Sequence, residues 1–491
     1  MPADSPAPIG AAARYLLTKA PRIAATLLLA AFFWAFQGRA LKSHFGPDEL
    51  MNIYGYWQPP LWKVLLANLS FWSSFTRPLA AAYYLPLFHL FKLNPVPYTW
   101  VRIGLLGVNT VLFYKLAREI SRSWWVAVLA AFPVAYQAHL GNLAFDGAFI
   151  YDILCATFYF AALLYYIRRR KGVTHLSIRQ GCVFLALYIC ALDSKEMAVS
   201  LPVVALAYEL LFPKRASGFS NLAKQLWPTL AAGAITAVFI LGKALGAQSL
   251  TNLDAYRPVL TWARFWESTN RFFNTIFYSE GLNMEHALVM WSALLCAGLV
   301  GLLRRRRDPR WLFLWIWVMV TPLPIVFLPG RGAGLLYLVA AGWAMVVAMV
   351  CRAVSWRLAR ELFGGRPARM IAMGLCLLGC ASAYGYQTRI VHRYDVYGYL
   401  LTGKYTADMI AQFQKLDLQP KPGSRIVFLS DPFHGDYDMT FLAALAWNDR
   451  SLRIFQQSHI HFAEEEIAGM DYILDYADGE FVVRKPVPPA P

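Results

Sequence analysis

The chain has 491 residues, of which 58% are hydrophobic, 15% aromatic and only 15% charged, a balance that excludes a soluble globular protein and points to an integral membrane protein. Its formal net charge of +17 does not imply nucleic acid as a partner, because the basic residues cluster in short loops between apolar runs, where the positive-inside rule places them. The seven cysteines, Cys155, Cys182, Cys190, Cys296, Cys351, Cys376 and Cys380, all fall in apolar runs, so no disulfide framework is implied and cysteine usage does not decide the compartment.

Met1 to Gly10 is rich in Pro and Ala, and residues 1–20 read as a disordered cytoplasmic N-terminus without an evident cleavable signal. A first membrane helix runs from about Ile23 to Gln37. Just beyond it lies His44-Phe45-Gly46-Pro47-Asp48-Glu49, two adjacent carboxylates behind a Gly-Pro that favours a turn. They open an outer loop, 41–97, too long to lack structure of its own. Within it Leu61 to Leu69 reads as an interfacial helix, and Tyr83 to Phe91 as a second short helix at the membrane surface or re-entrant in it.

Further spanning helices are expected at Tyr98–Leu116, Trp124–Leu140, Phe149–Ile167, Gly181–Leu192, Met197–Phe212, Trp227–Leu245, Ala287–Leu303, Trp311–Leu328, Leu335–Cys351 and Met370–Tyr386. Arg168-Arg169-Arg170-Lys171 marks the cytoplasmic side most strongly. Lys214-Arg215, Arg304-Arg305-Arg306-Arg307 and the basic loop from Arg352 to Arg369 fall on that same side. The fold class is therefore an all-α polytopic membrane protein with about eleven transmembrane helices, its N-terminus cytoplasmic and its Asp48 loop outside.

From His392 onward the composition is that of a small α/β domain, so the chain divides into a membrane domain, 21–387, and an extracytoplasmic domain, 388–491. Arg425 to Ser430 and Leu452 to Phe455 read as strands and Met439 to Trp447 as a helix. Tyr472-Ile473-Leu474 and Phe481-Val482-Val483 form a hairpin turned by Ala477-Asp478-Gly479. This domain carries no phosphate-binding Gly loop, zinc spacing or nucleophile elbow.

Ionisable residues at membrane depth face a cavity or one another. Asp48, Glu49, Arg77, Asp146, Asp152, Lys195, Glu196 and Arg331 all project to the outer side in this topology. An Asp-Glu pair at a helix end also reads as solvated loop charge. Arg77 and Lys195 also read as snorkelling side chains, Asp152 as an acid favoured by its helix dipole, and His44 as a lone loop histidine.

Three motifs carry a resemblance. Phe75-Thr76-Arg77-Pro78-Leu79 through Asn94-Pro95 and Val101 to Arg118 is similar to the YRPL…NP region of the polytopic O-mannosyltransferase-like membrane proteins, many of which carry tetratricopeptide repeats. Asp152-Ile153-Leu154 resembles their D-L-L helix, and Ser194 to Pro202 resembles their SKE-x-A-V-x-L-P segment, the most specific of the three. The resemblance covers roughly Ile23 to Tyr337, with Arg331 to Tyr337 a weaker echo of an Arg/Tyr motif. Pro47-Asp48-Glu49 stands where an Asp-Asp or Trp-Asp-Asp loop is expected, and no tetratricopeptide period follows the last helix.

The resemblance implies a GT-C class glycosyltransferase of the inner (plasma) membrane. It would use a polyprenyl-phosphate sugar as donor and an acceptor hydroxyl on the outer face, the acceptor being protein, lipid or glycan. Asp48 is then the general base of an inverting transfer, and Glu49 orients the acceptor or joins Asp48 in holding a divalent cation, Mg or Mn. Arg77, Lys195 and Arg331 are the candidates for the donor phosphate, with Lys243 and Arg257 behind them. Asp152, Asp146, Glu196 and His44 support the site: Asp152 by completing a cation site or anchoring an arginine, and Glu196 as an alternative partner of Lys195. The competing readings are a secondary transporter, for which the inverted repeats are missing, and a non-catalytic scaffold for envelope partners.

Overall fold

The structure, a computed structural model, describes residues 11–57, 62, 77–212, 219–245, 257–279, 284–304, 308–330, 332–416, 418–433 and 438–486. The expected interfacial helix Leu61–Leu69 lies outside them apart from Trp62, which is helical. Arg331 lies outside them as well.

Helix α1 (Ala11–Gln37) ends in a 3-10 turn, Gly38–Lys42, and leads to α2 (Pro47–Tyr56). Here the structure differs from the expected turn: Gly46 takes extended backbone and Pro47 occupies the first helical turn, where its missing N–H costs nothing. Asp48 and Glu49 then sit in the first turn of α2, favoured by its dipole. Next come α3 (Pro78–Phe91) and α4 (Pro95–Ser121), the latter capped by the Asn94 side chain on the Val96 N–H. After α5 (Trp124–Ala135) the chain passes through three short turns, Ala138–Leu140, Asn142–Phe145 and Gly147–Phe149, into α6 (Ile150–Arg170). Helix α7 (Ile178–Leu192) starts with a Ser177/Gln180 capping box. A 3-10 turn, Glu196–Ser200, joins it to α8 (Leu201–Leu211), and α9 (Phe219–Leu245), α10 (Trp262–Phe277), α11 (Met284–Arg304), α12 (Arg310–Val320) and α13 (Tyr337–Leu362) follow.

The expected spanning segments fall largely on helix, with Trp124–Leu140 broken after Ala135 and Trp311–Leu328 broken after Val320. Among the described residues, five stretches are long and apolar enough to cross a membrane: Lys19–Lys42, Gly147–Arg170, Asn221–Lys243, Ala333–Leu362 and Pro367–Lys415. Trp124–Ala135 and Ala138–Phe145, bent by 52°, make a sixth if they form one span. The difference from eleven is partly one of length: α7 has 15 residues and α8 has 11, rises of about 22 and 16 Å against a hydrocarbon core of about 30 Å. The chain is an integral membrane protein.

The basic helix ends gather at one end of the bundle. Arg168 at the end of α6 bonds Glu119 near the end of α4 at 3.1 Å, and Arg310 at the start of α12 donates to the Ser121 carbonyl at 2.9 Å. The turns bearing Asp48, Asp146, Asp152 and Lys195 lie at the opposite helix ends.

The last helix, α14 (Arg366–Lys415), is 50 residues long and continues without a break past His392, where composition alone marked a change of domain. Beyond it β1 (Arg425–Phe428), α15 (Asp438–Ala446), β2 (Arg453–Gln456), α16 (Glu464–Ala468), β3 (Tyr472–Ala477) and β4 (Glu480–Pro486) form a sheet of order β2-β1-β3-β4. Strand β1 is parallel to β2 and β3, and β4 closes antiparallel on β3. Asp478 and Gly479, both at positive φ (55° and 85°), make the two-residue turn that suits the right-handed twist of a hairpin.

The sheet domain is seated on α2. Phe441 of α15 packs on Tyr54 with ring centroids 5.1 Å apart, and the Arg450 guanidinium lies 4.4 Å over the Tyr54 ring. Arg450 also donates to the Tyr54 carbonyl at 2.9 Å and to that of Trp57, satisfying carbonyls that the end of α2 leaves open.

Candidate active site

Helix α2 presents its two acids in different directions. Asp48 is exposed and lines a cleft of about 260 Å³ with His44, Gly46, Pro47, Phe145, Asp146, Tyr399 and Gly403. Asp146, at the mouth of the turn before α6, accepts the Ala148 N–H at 2.9 Å. Burial pushes its carboxyl up, the bond from Ala148 and the charge of Arg102 oppose that, and the neighbouring Asp48 adds to it. Two carboxylates from separate segments thus share one cleft.

Glu49, by contrast, is buried. Its Oε1 accepts from Arg102 Nη1 at 3.1 Å and its Oε2 from the Gly147 N–H at 3.2 Å. Burial raises its carboxyl to about 7 against the pull of Arg102. Only glycine fits at 147, because a Cβ there would stand 1.6 Å from Glu49 Oε1. Arg102, only 1% exposed, also donates to the Ala144 carbonyl at 3.2 Å and to Thr99 Oγ1 at 3.1 Å. Sequence reasoning absorbed Arg102 into an apolar span. The available signal was its charge inside that run, which demands a partner.

A second cluster sits at the ends of α3, α6 and α9 that lie away from the basic end of the bundle. Arg77 grips Glu196 with two bonds, Nη2 to Oε2 at 2.9 Å and Nε to Oε1 at 3.4 Å. Lys195 Nζ meets Asp152 Oδ2 at 2.8 Å, so its partner is not the Glu196 beside it. Burial works to raise the Glu196 carboxyl, but Arg77 and Lys243 outweigh it and hold the group at about 2. Asp193 is pushed up to about 7 by burial, with Lys243 opposing. The Arg77 guanidinium lies 4.8 Å over the Tyr151 ring, and Lys195 Nζ is 6.0 Å from the same ring.

Tyr151 joins the two clusters. Its hydroxyl donates to Asn52 Oδ1 at 2.9 Å, and Asn52 lies one helical turn after Asp48, on the same side of α2. Tyr84, on α3, fixes the turn between them by donating to the Gly147 carbonyl at 2.8 Å. Asp146 and Asp152, neighbours in sequence, serve different clusters. For Arg331, only its flanks are described: a Cβ at Gly332 or Gly334 would meet the Phe149 ring at 3.0 or 2.4 Å. Arg257 is exposed in the segment before α10.

Among the described residues no group of three or more His, Cys, Asp or Glu is placed to hold a metal ion. Asp48 and Asp146, two carboxylates in one cleft, suit a cation such as Mg or Mn that keeps several of its waters. Both oxygens of Glu49 are engaged by Arg102 and Gly147.

No family model matches the chain, and no curated protein matches it. Among solved structures it is similar to an oligosaccharyltransferase of Archaeoglobus fulgidus, crystallised with Zn and sulfate, over 82% of this chain and 60% of that one, at 16% identity and a TM-score of 0.43. The chain thus spans 60% of that protein's length, and a likeness of this size sets no residue of the two chains in correspondence.

Proposed function

We propose that the protein is a GT-C class inverting glycosyltransferase that moves a sugar from a polyprenyl-phosphate donor to an acceptor hydroxyl on the extracytoplasmic face, with Asp48 as the general base. The observation that carries this reading is the Tyr151 bridge. It ties a helix bearing an exposed carboxylate to a cluster of cations through one hydrogen bond and one cation–ring contact. A transfer from a lipid phosphate needs these two elements side by side.

An alcohol is a weak nucleophile, so a carboxylate within hydrogen-bond reach must accept its proton as the oxygen attacks the anomeric carbon. The sugar–phosphate C–O bond breaks on the opposite face, its electron pair stays on the phosphate, and the configuration inverts. Arg77 and Lys195 meet the charge that develops there, Arg77 by a two-bonded grip and Lys195 as a point charge. Donor phosphate takes over the Arg77 face that Glu196 holds in this structure, and Lys243 adds positive charge beside it. Arg331 is a further proposed phosphate contact. A divalent cation held by Asp48 and Asp146 would neutralise charge at the reacting end. Glu49 serves differently, as a buried anchor that fixes α2 against Arg102. Asp152 anchors Lys195, and His44 lines the wall of the acceptor cleft.

The full chain in nanodiscs, given a panel of polyprenyl-phosphate sugars and candidate acceptors, tests this directly by release of polyprenyl phosphate. Asp48→Asn should retain donor binding and lose turnover by about 10²–10⁴-fold, the usual worth of a general base. Absence of donor binding and turnover across the panel, or full turnover by the Asn variant, would overturn the proposal.

A further inference from the structure

Helices α1, α5 and α14 converge at the basic end of the bundle without closing on one another. Between them lies an apolar groove of about 610 Å³. It is open because the facing positions are small: Ala24 and Ala25 on α1, Gly374 on α14. Even a Cβ on Gly374 would stand 3.1 Å from the Trp125 ring. At its deep end the groove is sealed by a packed cluster that includes Leu29, Phe132 and Ala381.

The dimensions select the occupant. The lining runs from Trp124 to Phe132 on α5 and from Met370 to Ala381 on α14, about 12 and 16 Å at 1.5 Å per residue. That is half of a hydrocarbon core of about 30 Å, the depth of one leaflet. At the open end stands Arg22, exposed, its guanidinium 5.7 Å over the Trp124 ring. Lys19 precedes it by one turn of α1, and Arg369 adjoins Met370 on α14. A hydrocarbon slot one leaflet deep with cations only at its headgroup end complements a lipid whose phosphate carries net negative charge. A polyprenyl tail entering from the opposite leaflet would fill the slot and bring no anion to Arg22.

We infer that this groove is a binding site for an anionic diacyl phospholipid of the leaflet at the basic end of the bundle, with one acyl chain between the three helices and the phosphate on Arg22. The inference is independent of the transferase reading. Membrane helices associate by packing rather than by hydrophobic expulsion, so the lipid joins α14, which carries the sheet domain, to α1 and α5.

Native mass spectrometry of the full chain in mild detergent, with dioleoyl phosphatidylglycerol or dioleoyl phosphatidylcholine added, reads the site. The glycerol lipid should stay bound under activation that strips the choline lipid. Arg22→Gln, at an exposed position, should lower the preference about fivefold, the worth of one cation near an anionic surface. Ala24→Trp, also exposed, should fill the slot and remove the retained lipid, with melting temperature confirming an intact fold. Soluble glycerol phosphate in excess should displace nothing. Equal retention of both lipids, an unchanged preference in Arg22→Gln, or displacement by glycerol phosphate would each overturn the inference.

Discussion

Replacing Glu49 by Ala removes the acceptor that the buried Arg102 guanidinium meets at 3.1 Å and the one that holds the Gly147 N–H at 3.2 Å. Two unit charges at that separation attract by about 5 kcal/mol at an effective dielectric of about 20. Burial more than offsets this: even with Arg102 opposing, the Glu49 carboxyl is raised from 4.5 to about 7, about 3 kcal/mol against its ionised form. What Arg102 cannot lose is the oxygen. Glu49→Ala should therefore destabilise the protein by about 3–5 kcal/mol, the cost of stranding one member of a buried pair. Glu49→Gln, which keeps an oxygen, should cost no more than about 1 kcal/mol at neutral pH. Because the carboxyl is raised in the folded state, it binds its proton more tightly there than in the unfolded chain. Stability from this group is full below pH 4.5 and is lost as pH rises through about 7, a slope the Gln variant should lack. Melting in detergent micelles across pH 4–8 measures all of this. An Ala variant that melts with the wild type, or a Gln variant that falls with the Ala variant, would refute the reasoning.

Glu196, held down at about 2, has the opposite sign. Its pairing stabilises the protein fully above its unfolded value near 4.5 and loses that effect as pH falls through about 2, so the melting advantage of wild type over Glu196→Gln should be flat above pH 5 and shrink on acidification. Arg450→Ala should free the carbonyl end of α2, raising hydrogen exchange in residues 47–57 and lowering the proposed transfer without altering affinity for the proposed donor, whereas unchanged protection there would show that the sheet domain does not hold the helix.

Local signals were legible in the sequence and long-range pairings were not. The β3–β4 hairpin was readable because Asp478-Gly479 fixes its own turn between alternating residues. The partners of Lys195 and Glu196 were not, because adjacent residues point apart: Lys195 is extended (φ −162°, ψ 147°), which sends it to Asp152 and its neighbour to Arg77. Asp146 and Asp152 were grouped by sequence proximity, yet the turn at Gly147–Phe149 stands between them and assigns them to different clusters. Arg102 escaped notice since its partner is 53 residues away. The length of α14 was hidden for another reason: composition changes at His392 because the surroundings change, while the backbone hydrogen bonding does not.

That unbroken helix also makes the sheet domain a matter of phase. Each residue of α14 advances the chain by about 1.5 Å and turns it by about 100°, so one residue inserted between Arg393 and Lys415 would swing the sheet to another side of the bundle. Arg450 would then face away from Tyr54 and Trp57. The register of a helix begun at Arg366, at the basic end, is thereby tied to the orientation of the helix that carries Asp48 at the opposite end.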